Sequence, residues 1–289
     1  MPFDLIEPET VDEALAVLSE GDETTRPISG GSGLALMMKY GFFQPTKLVS
    51  LRRIARDLSA IRALPDGGLQ IGATATLRDV EDSPDVETQA PMLHESLKRL
   101  ATIRLRNVAQ IGGAIAHGAP QMDLPPVLLA LNAQVQARSR RGERWIPAEN
   151  VFLGYYHTAI EPDELVTQAR IPQLGDHRGT YRKVTARSVD DWPLLGIAVL
   201  AQFEGGSIKT VTAAVGAISD HAQLLPTVEA SLTGSEPSAR DIRSVAEDAA
   251  DTLDYKEGGM ASPAYQRRLV ATNLRLALES VIGDIERQE

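Results

Sequence analysis

Apolar and polar residues follow several different rhythms along this chain, and each rhythm predicts an element. Val11, Ala14, Leu15 and Leu18 recur at helical spacing within Glu9–Ser19, where Thr10 is placed as an N-cap with Glu13 three positions on. Residues 26–31, RPISGG, read as a short extended segment running into glycines, and Ser32–Lys39 as a short helix. The run Lys47–Leu51 reads as a strand. Residues 56–76 read as strand, turn and strand, with Pro65-Asp66-Gly67-Gly68 as the turn. Thr76 or Asp79 starts another helix, and Leu93–Leu100 is helical. Residues 107–120, NVAQIGGAIAHGAP, read as a glycine-rich stretch without regular structure. Asp123–Leu131 reads as a helix whose prolines, Pro125 and Pro126, sit in the first turn where proline is tolerated. Strands follow at 133–138 and 164–171, and the polar stretch 173–180 is the expected domain boundary. Beyond it come apolar strands with a Gly205-Gly206 turn, then helices at 238–253 and 262–282. Hairpins followed by helices indicate an α+β fold rather than a regular βαβ array.

Composition narrows the function more than the fold. A chain of 289 residues with 43% hydrophobic content is long enough for two compact units. Its net charge of −10 argues against a nucleic-acid binder, which needs clustered Lys and Arg. It contains no cysteine, which excludes disulfides, cysteine nucleophiles, thiolate metal sites and a Cys-ligated iron–sulfur cluster held by this chain. The five histidines are scattered, so no protein-ligated metal is expected. The N-terminus has neither a basic region nor an apolar core of a signal peptide, and no apolar run approaches the ~20 residues of a membrane span. The expected location is the cytoplasm.

Two glycine-rich segments are the candidate chemistry. Ser29-Gly30-Gly31-Ser32-Gly33 lets backbone N–H groups converge on an anion beside a helix N-terminus. Read alone, it fits a flexible surface turn equally well, since it is neither a Walker A nor a G-x-G-x-x-G motif. The second, Gln110 to Pro120, sets Gly112-Gly113 between isoleucines, a setting suited to a loop packed under a flat ligand. His117 alone reads more naturally as a structural histidine, and Asp123 alone as an N-terminal helix residue favoured by the dipole. Two such loops about eighty residues apart suggest a cofactor between two small subdomains, one loop holding a pyrophosphate and the other the remainder.

These segments also resemble a known family. The stretches FDLIEPETVDEALAVL, PISGGSGLALMMK, IRLRNVAQIGGAIAHGAPQMDLPPVLLALNAQV, RWIPAENVFLGYYHTAIEPDELVTQARIP, YRKVTARSVDDWPLLGIAV and SPAYQRRLVATNLRLAL are similar, in order, to the FAD-binding medium subunits of molybdenum hydroxylases. That family includes the carbon monoxide dehydrogenase medium subunit and the xanthine dehydrogenase FAD domain. The resemblance implies a PCMH-type FAD-binding domain over 1–175, with subdomains 1–55 and 56–175, and a C-terminal domain over 176–289 with a small antiparallel sheet and a helix bundle. It implies that Arg26, Ile28, Ser29, Gly30, Gly31, Ser32, Gly33 and Leu34 line the pyrophosphate. Gln110, Gly112, Gly113, Ala114 and His117 would approach the cofactor from the second loop, and Leu100 would be a further cofactor contact. Asp123 would bind the ribityl chain, Leu165 or Val166 would pack on the isoalloxazine ring, and Lys183 would reach its edge.

Three positions depart from the family pattern. Gly33 stands where Ser is frequent, Gln110 replaces a common Thr, and Ala114 replaces Ser or Asn. Each loses or alters a side-chain hydrogen bond, at about 1 kcal/mol apiece. The resemblance further implies partners: a large molybdopterin subunit and a small subunit with [2Fe–2S] clusters, in a dimer of heterotrimers. Electrons would pass from those clusters through FAD to an external acceptor, with no catalytic acid or base in this chain. The rival readings are a degenerate, non-redox scaffold subunit and a free-standing flavoenzyme.

Overall fold

The computed structural model describes residues 3–255 and 261–283. It separates into two compact units. The first comprises 1–90, 101–118 and 133–173, and the second comprises 91–100, 119–132 and 174–289.

The first unit opens with a parallel three-stranded sheet. Strand Lys47–Ser50 lies between Asp4–Ile6 and Thr25–Ile28. Helix Val11–Ser19 begins where Thr10 accepts the Glu13 N–H at 3.1 Å, while the Glu13 carboxylate accepts the Glu9 N–H at 2.8 Å. Its apolar stripe, Ala14, Leu15 and Leu18, packs with Val49, Leu51, Ile54 and Leu165. A five-stranded antiparallel sheet follows, in the order Ile61–Ala63, Leu69–Gly72, Leu165–Ile171, Gln134–Ser139 and Gly142–Pro147.

The expectation of irregular structure over 107–120 is corrected. Ile111–His117 is a helix, capped at its end by left-handed Gly118. Ile111 and Ile115, four apart, are both fully buried, and that anchoring outweighs the roughly 1 kcal/mol that each glycine costs in a helix. Strand Gly142–Pro147 has no counterpart in the sequence reading, because four of its six residues are exposed and its pattern is polar.

The second unit is built on an antiparallel sheet in the order His177–Thr185, Pro193–Glu204, Ser207–Gly216 and Gln223–Leu224. The stretch 173–180, expected to be turn-rich, already contains the first four residues of this sheet after left-handed Gly175. Helices Pro226–Leu232, Ala239–Asp251 and Pro263–Ile282 share one core with it, centred on Ile197, Val199, Val215, Val245 and Leu274. Two earlier helices, Pro91–Leu97 and Leu124–Ala130, pack on the same sheet. Their cooperation with a sheet that starts after residue 176 is a tertiary effect that no local pattern announces.

Candidate cofactor site

The first unit brings the two glycine segments together. Strand Thr25–Ile28 delivers the chain to Gly30, where a Cβ would stand 2.0 Å from the Val108 carbonyl oxygen, so the two backbones touch and only glycine fits. Gly31 takes φ +71°, the left-handed conformation that glycine adopts without cost, and turns the chain into helix Ser32–Lys39. The first-turn N–H groups of Ser32, Gly33 and Leu34 have no acceptor among the described residues. Ser29 and Ile28 are half-buried beside them. Arg26 points elsewhere: it donates to the Thr25 carbonyl at 3.1 Å and lies 5.2 Å from the Phe43 ring centroid.

The second segment is stapled to residues 73–77. Leu77 N–H donates to Ala109, Ile111 N–H to Ala75, and Gly112 N–H to Ala73 at 2.8 Å. A Cβ at Gly112 would stand 2.5 Å from that of Ala73, so this glycine serves the packing of the protein. Gly113 does not. It is exposed, a Cβ there would meet nothing within 4 Å, and its N–H has no acceptor among the described residues. Ala114 N–H is committed to the Gln110 carbonyl at 2.9 Å. The Gln110 side-chain oxygen is buried without a partner among the described residues.

His117 connects the two loops. A Cβ at Gly33 would lie 3.0 Å from its ring, so the imidazole fills the space where a larger residue 33 would stand. Burial pushes the His117 pKa down and favours the neutral ring. Tyr156, itself at φ +52°, meets His117 edge-on at 5.0 Å. Leu165 and Val166 are both buried in strand Leu165–Ile171, and Leu165 belongs to the core around Leu15.

The second unit carries a different kind of cluster. Asp123 precedes helix Leu124–Ala130 but makes no capping bond to it. Its carboxylate instead accepts from the Tyr181 hydroxyl at 2.7 Å and from Lys183 at 3.1 Å. Lys183 also donates to the Arg99 carbonyl at 2.9 Å. The side chains of Lys183 and Asp123 are 2% and 7% exposed, so this is a dry ion pair. Burial pushes the Asp123 carboxyl above its ordinary value, with Lys183 and Tyr181 pulling the other way. Burial also pushes the Tyr181 hydroxyl well up, reinforced by Asp123, so it stays a donor. The sequence reading missed Tyr181. The available signal was strand alternation, which puts residues 181 and 183 on one face. Leu100, in the same unit, is buried.

Residues 1–174 match the family described as the FAD binding domain in molybdopterin dehydrogenase. The chain belongs to that family. Residues 180–281 match the CO dehydrogenase flavoprotein C-terminal domain. Relatives within the molybdenum hydroxylases include the carbon monoxide dehydrogenase medium chain of Hydrogenophaga pseudoflava, 33% identical over 74% of each chain. The nicotine 6-hydroxylase medium subunit of Paenarthrobacter nicotinovorans is 31% identical over 93% of each. A solved carbon monoxide dehydrogenase from Hydrogenophaga pseudoflava, lacking the Mo-pyranopterin moiety of its cofactor, superposes with a TM-score of 0.93 at 30% identity, covering 97% of both chains. This is therefore an FAD-binding medium subunit and an oxidoreductase component; in this family molybdopterin and iron–sulfur clusters belong to other subunits. No helix among the described residues is long and apolar enough to cross a membrane.

Proposed function

We propose that this chain relays electrons through an FAD whose pyrophosphate is held by Gly30–Leu34 and whose further contacts include Gly112–Gly113 and His117. The carrying observation is Gly113. A helical glycine costs about 1 kcal/mol relative to alanine. No described residue lies within 4 Å of a Cβ placed at this exposed position, and we read the glycine as leaving room for a ligand. The free N–H groups of Ser32, Gly33, Leu34 and Gly113, and the unpartnered Gln110 oxygen, fit a polar cofactor. They also answer the three departures from the family pattern, because backbone donors do not depend on residue type.

When bound, FAD supplies a carrier that accepts and releases electrons singly or in pairs. The chain's own residues bind and orient it. The Ser32–Leu34 amides supply donors to an anion, reinforced by the partial positive charge of the helix start. Neutral His117 offers a hydrogen bond without adding charge. Asp123 would bind the ribityl chain, Lys183 would reach the ring edge, Leu165 or Val166 would pack on the ring, and Leu100 would be a further contact. The electrons come from an iron–sulfur subunit associated with a large molybdopterin subunit, in a dimer of heterotrimers, and leave to an external acceptor.

The test is flavin titration of the full chain. We expect stoichiometric FAD uptake, and a Gly113→Ala variant that is as stable or more so by about 0.4–1 kcal/mol yet binds FAD at least ~10-fold more weakly. Unchanged affinity in that variant would remove the carrying observation. An assembled complex with no flavin would select a scaffold role instead.

A further inference from the structure

In the first unit, residues 152–158 form a small hairpin in which Phe152–Gly154 pairs with His157–Thr158. Tyr155 and Tyr156 make its turn. Tyr156 takes φ +52°, and among the described residues only three other non-glycines, Ala101, Asn132 and Ala217, have positive φ. Glycine or asparagine occupies such a position readily, whereas a bulky aromatic residue is strained there. Strain of this kind persists only where the surroundings hold it. Here the Tyr156 N–H donates to the Gly118 carbonyl at 3.1 Å, and the Ala159 N–H to the Val151 carbonyl at 2.9 Å. A Cβ at left-handed Gly118 would stand 2.7 Å from the Thr158 methyl, so the hairpin sits directly on the end of helix Ile111–His117.

The Tyr156 ring is not there to fill a core, since the residue is 41% exposed. It meets the His117 imidazole edge-on at 5.0 Å, and Tyr155 backs it, also edge-on, at 4.9 Å. The His117 ring makes no hydrogen bond among the described residues, so packing alone sets its direction. A Cβ at Gly33 would lie 3.0 Å from that ring. Helix Ser32–Lys39, which carries the unpaired first-turn amides, has no buried residue and no side-chain cap, and it packs on helix Ile111–His117. The imidazole therefore stands between the strained turn and the helix start that offers donors to an anion.

We propose that Tyr156 is a positioning residue for the cofactor: its ring holds the His117 imidazole against Gly33 and so fixes the start of helix Ser32–Lys39 for the pyrophosphate. The inference rests on the relay reading above. It accounts for an aromatic residue where glycine would relieve the backbone. Without the ring, the imidazole can swing away from Gly33, and the first-turn amides lose a fixed neighbour.

The experiment is flavin titration of the full chain as wild type, Tyr156→Asn and Tyr156→Phe. Asparagine accepts the left-handed backbone but brings no ring, and phenylalanine gives up only the hydroxyl. Tyr156→Asn should fold as the wild type does by circular dichroism, yet bind FAD about 3- to 10-fold more weakly, the loss of one edge-on aromatic contact. Tyr156→Phe should keep wild-type affinity. In the flavin-free chain, the His117 titration followed by NMR should move up toward 6.5 in Tyr156→Asn, because burial is what lowers it. If Tyr156→Asn fails to fold, Tyr156→Gly gives the same readings on an unstrained backbone. Wild-type affinity in the folded Asn or Gly variant overturns the proposal, as does an unmoved His117 titration. A loss in Tyr156→Phe as large as in Tyr156→Asn also overturns it, by assigning the effect to the hydroxyl. A wild-type chain that takes up no FAD overturns the relay reading, and the proposal with it.

Discussion

The two units differ in the kind of polar groups they gather. In the first, the candidate contacts are backbone N–H groups; Gly30 lets two backbones meet, Gly31 turns the chain into the helix, and Gly113 leaves open space. In the second, ionised side chains are drawn into a dry interior, where Asp123, Tyr181 and Lys183 satisfy one another. A backbone site tolerates changes of side-chain chemistry and fails when volume is added. A buried side-chain cluster fails when one charge is removed and its partner is left unpaired. That contrast explains how Gly33, Gln110 and Ala114 can differ from the family pattern while the first-turn donors remain in place.

The largest effect should come from breaking the charged cluster. Lys183→Met leaves the Asp123 carboxylate buried with only a hydroxyl donor, and should cost about 3–5 kcal/mol in urea unfolding. Adding Asp123→Asn should recover most of that loss. A double variant as unstable as the single one would show that packing, not charge, holds this cluster. Next, Gly30→Ala forces a methyl onto the Val108 carbonyl and should cost about 1–3 kcal/mol together with loss of FAD uptake. No second side-chain change can relieve it, because the obstacle is backbone.

The smallest effect sharpens the contrast through pH. The folded pKa of His117 lies below the ordinary imidazole value, so the folded state binds fewer protons than the unfolded state. The resulting stability is present above the ordinary value of 6.5 and is lost as pH falls through it toward the folded pKa. His177, also lowered by burial, acts in the same direction. Thermal midpoints measured between about pH 8 and about pH 5 should therefore fall less steeply in His117→Asn than in the wild type. An unchanged slope would assign the whole effect to other groups.

Much of the fold was legible because its signals are local. Thr10 and Glu13 mark a helix start, Pro65–Gly68 joins two antiparallel strands, and Gly205-Gly206 turns a long hairpin. What escaped depends on tertiary partners. Helix Ile111–His117 is held by Ile111 and Ile115 against its glycines. Helix Leu124–Ala130 owes its packing to a sheet that begins more than fifty residues later. In the candidate site the glycines were visible, but their division of labour was not. Gly112 is required by Ala73, whereas a Cβ at Gly113 would meet none of the described residues within 4 Å. Strand alternation set Tyr181 on the same face as Lys183, but its bond to Asp123 depends on tertiary structure.

Helix Ser32–Lys39 has no buried residue, and its cap, Gly31, contributes no side-chain bond. Little inside the chain therefore pays for its order. A ligand on its first-turn amides would stabilise the folded form by about 2.7 kcal/mol at a hundredfold excess over Kd. Fraying should therefore begin at this helix in the empty chain, and hydrogen exchange of its amides should slow when FAD is added.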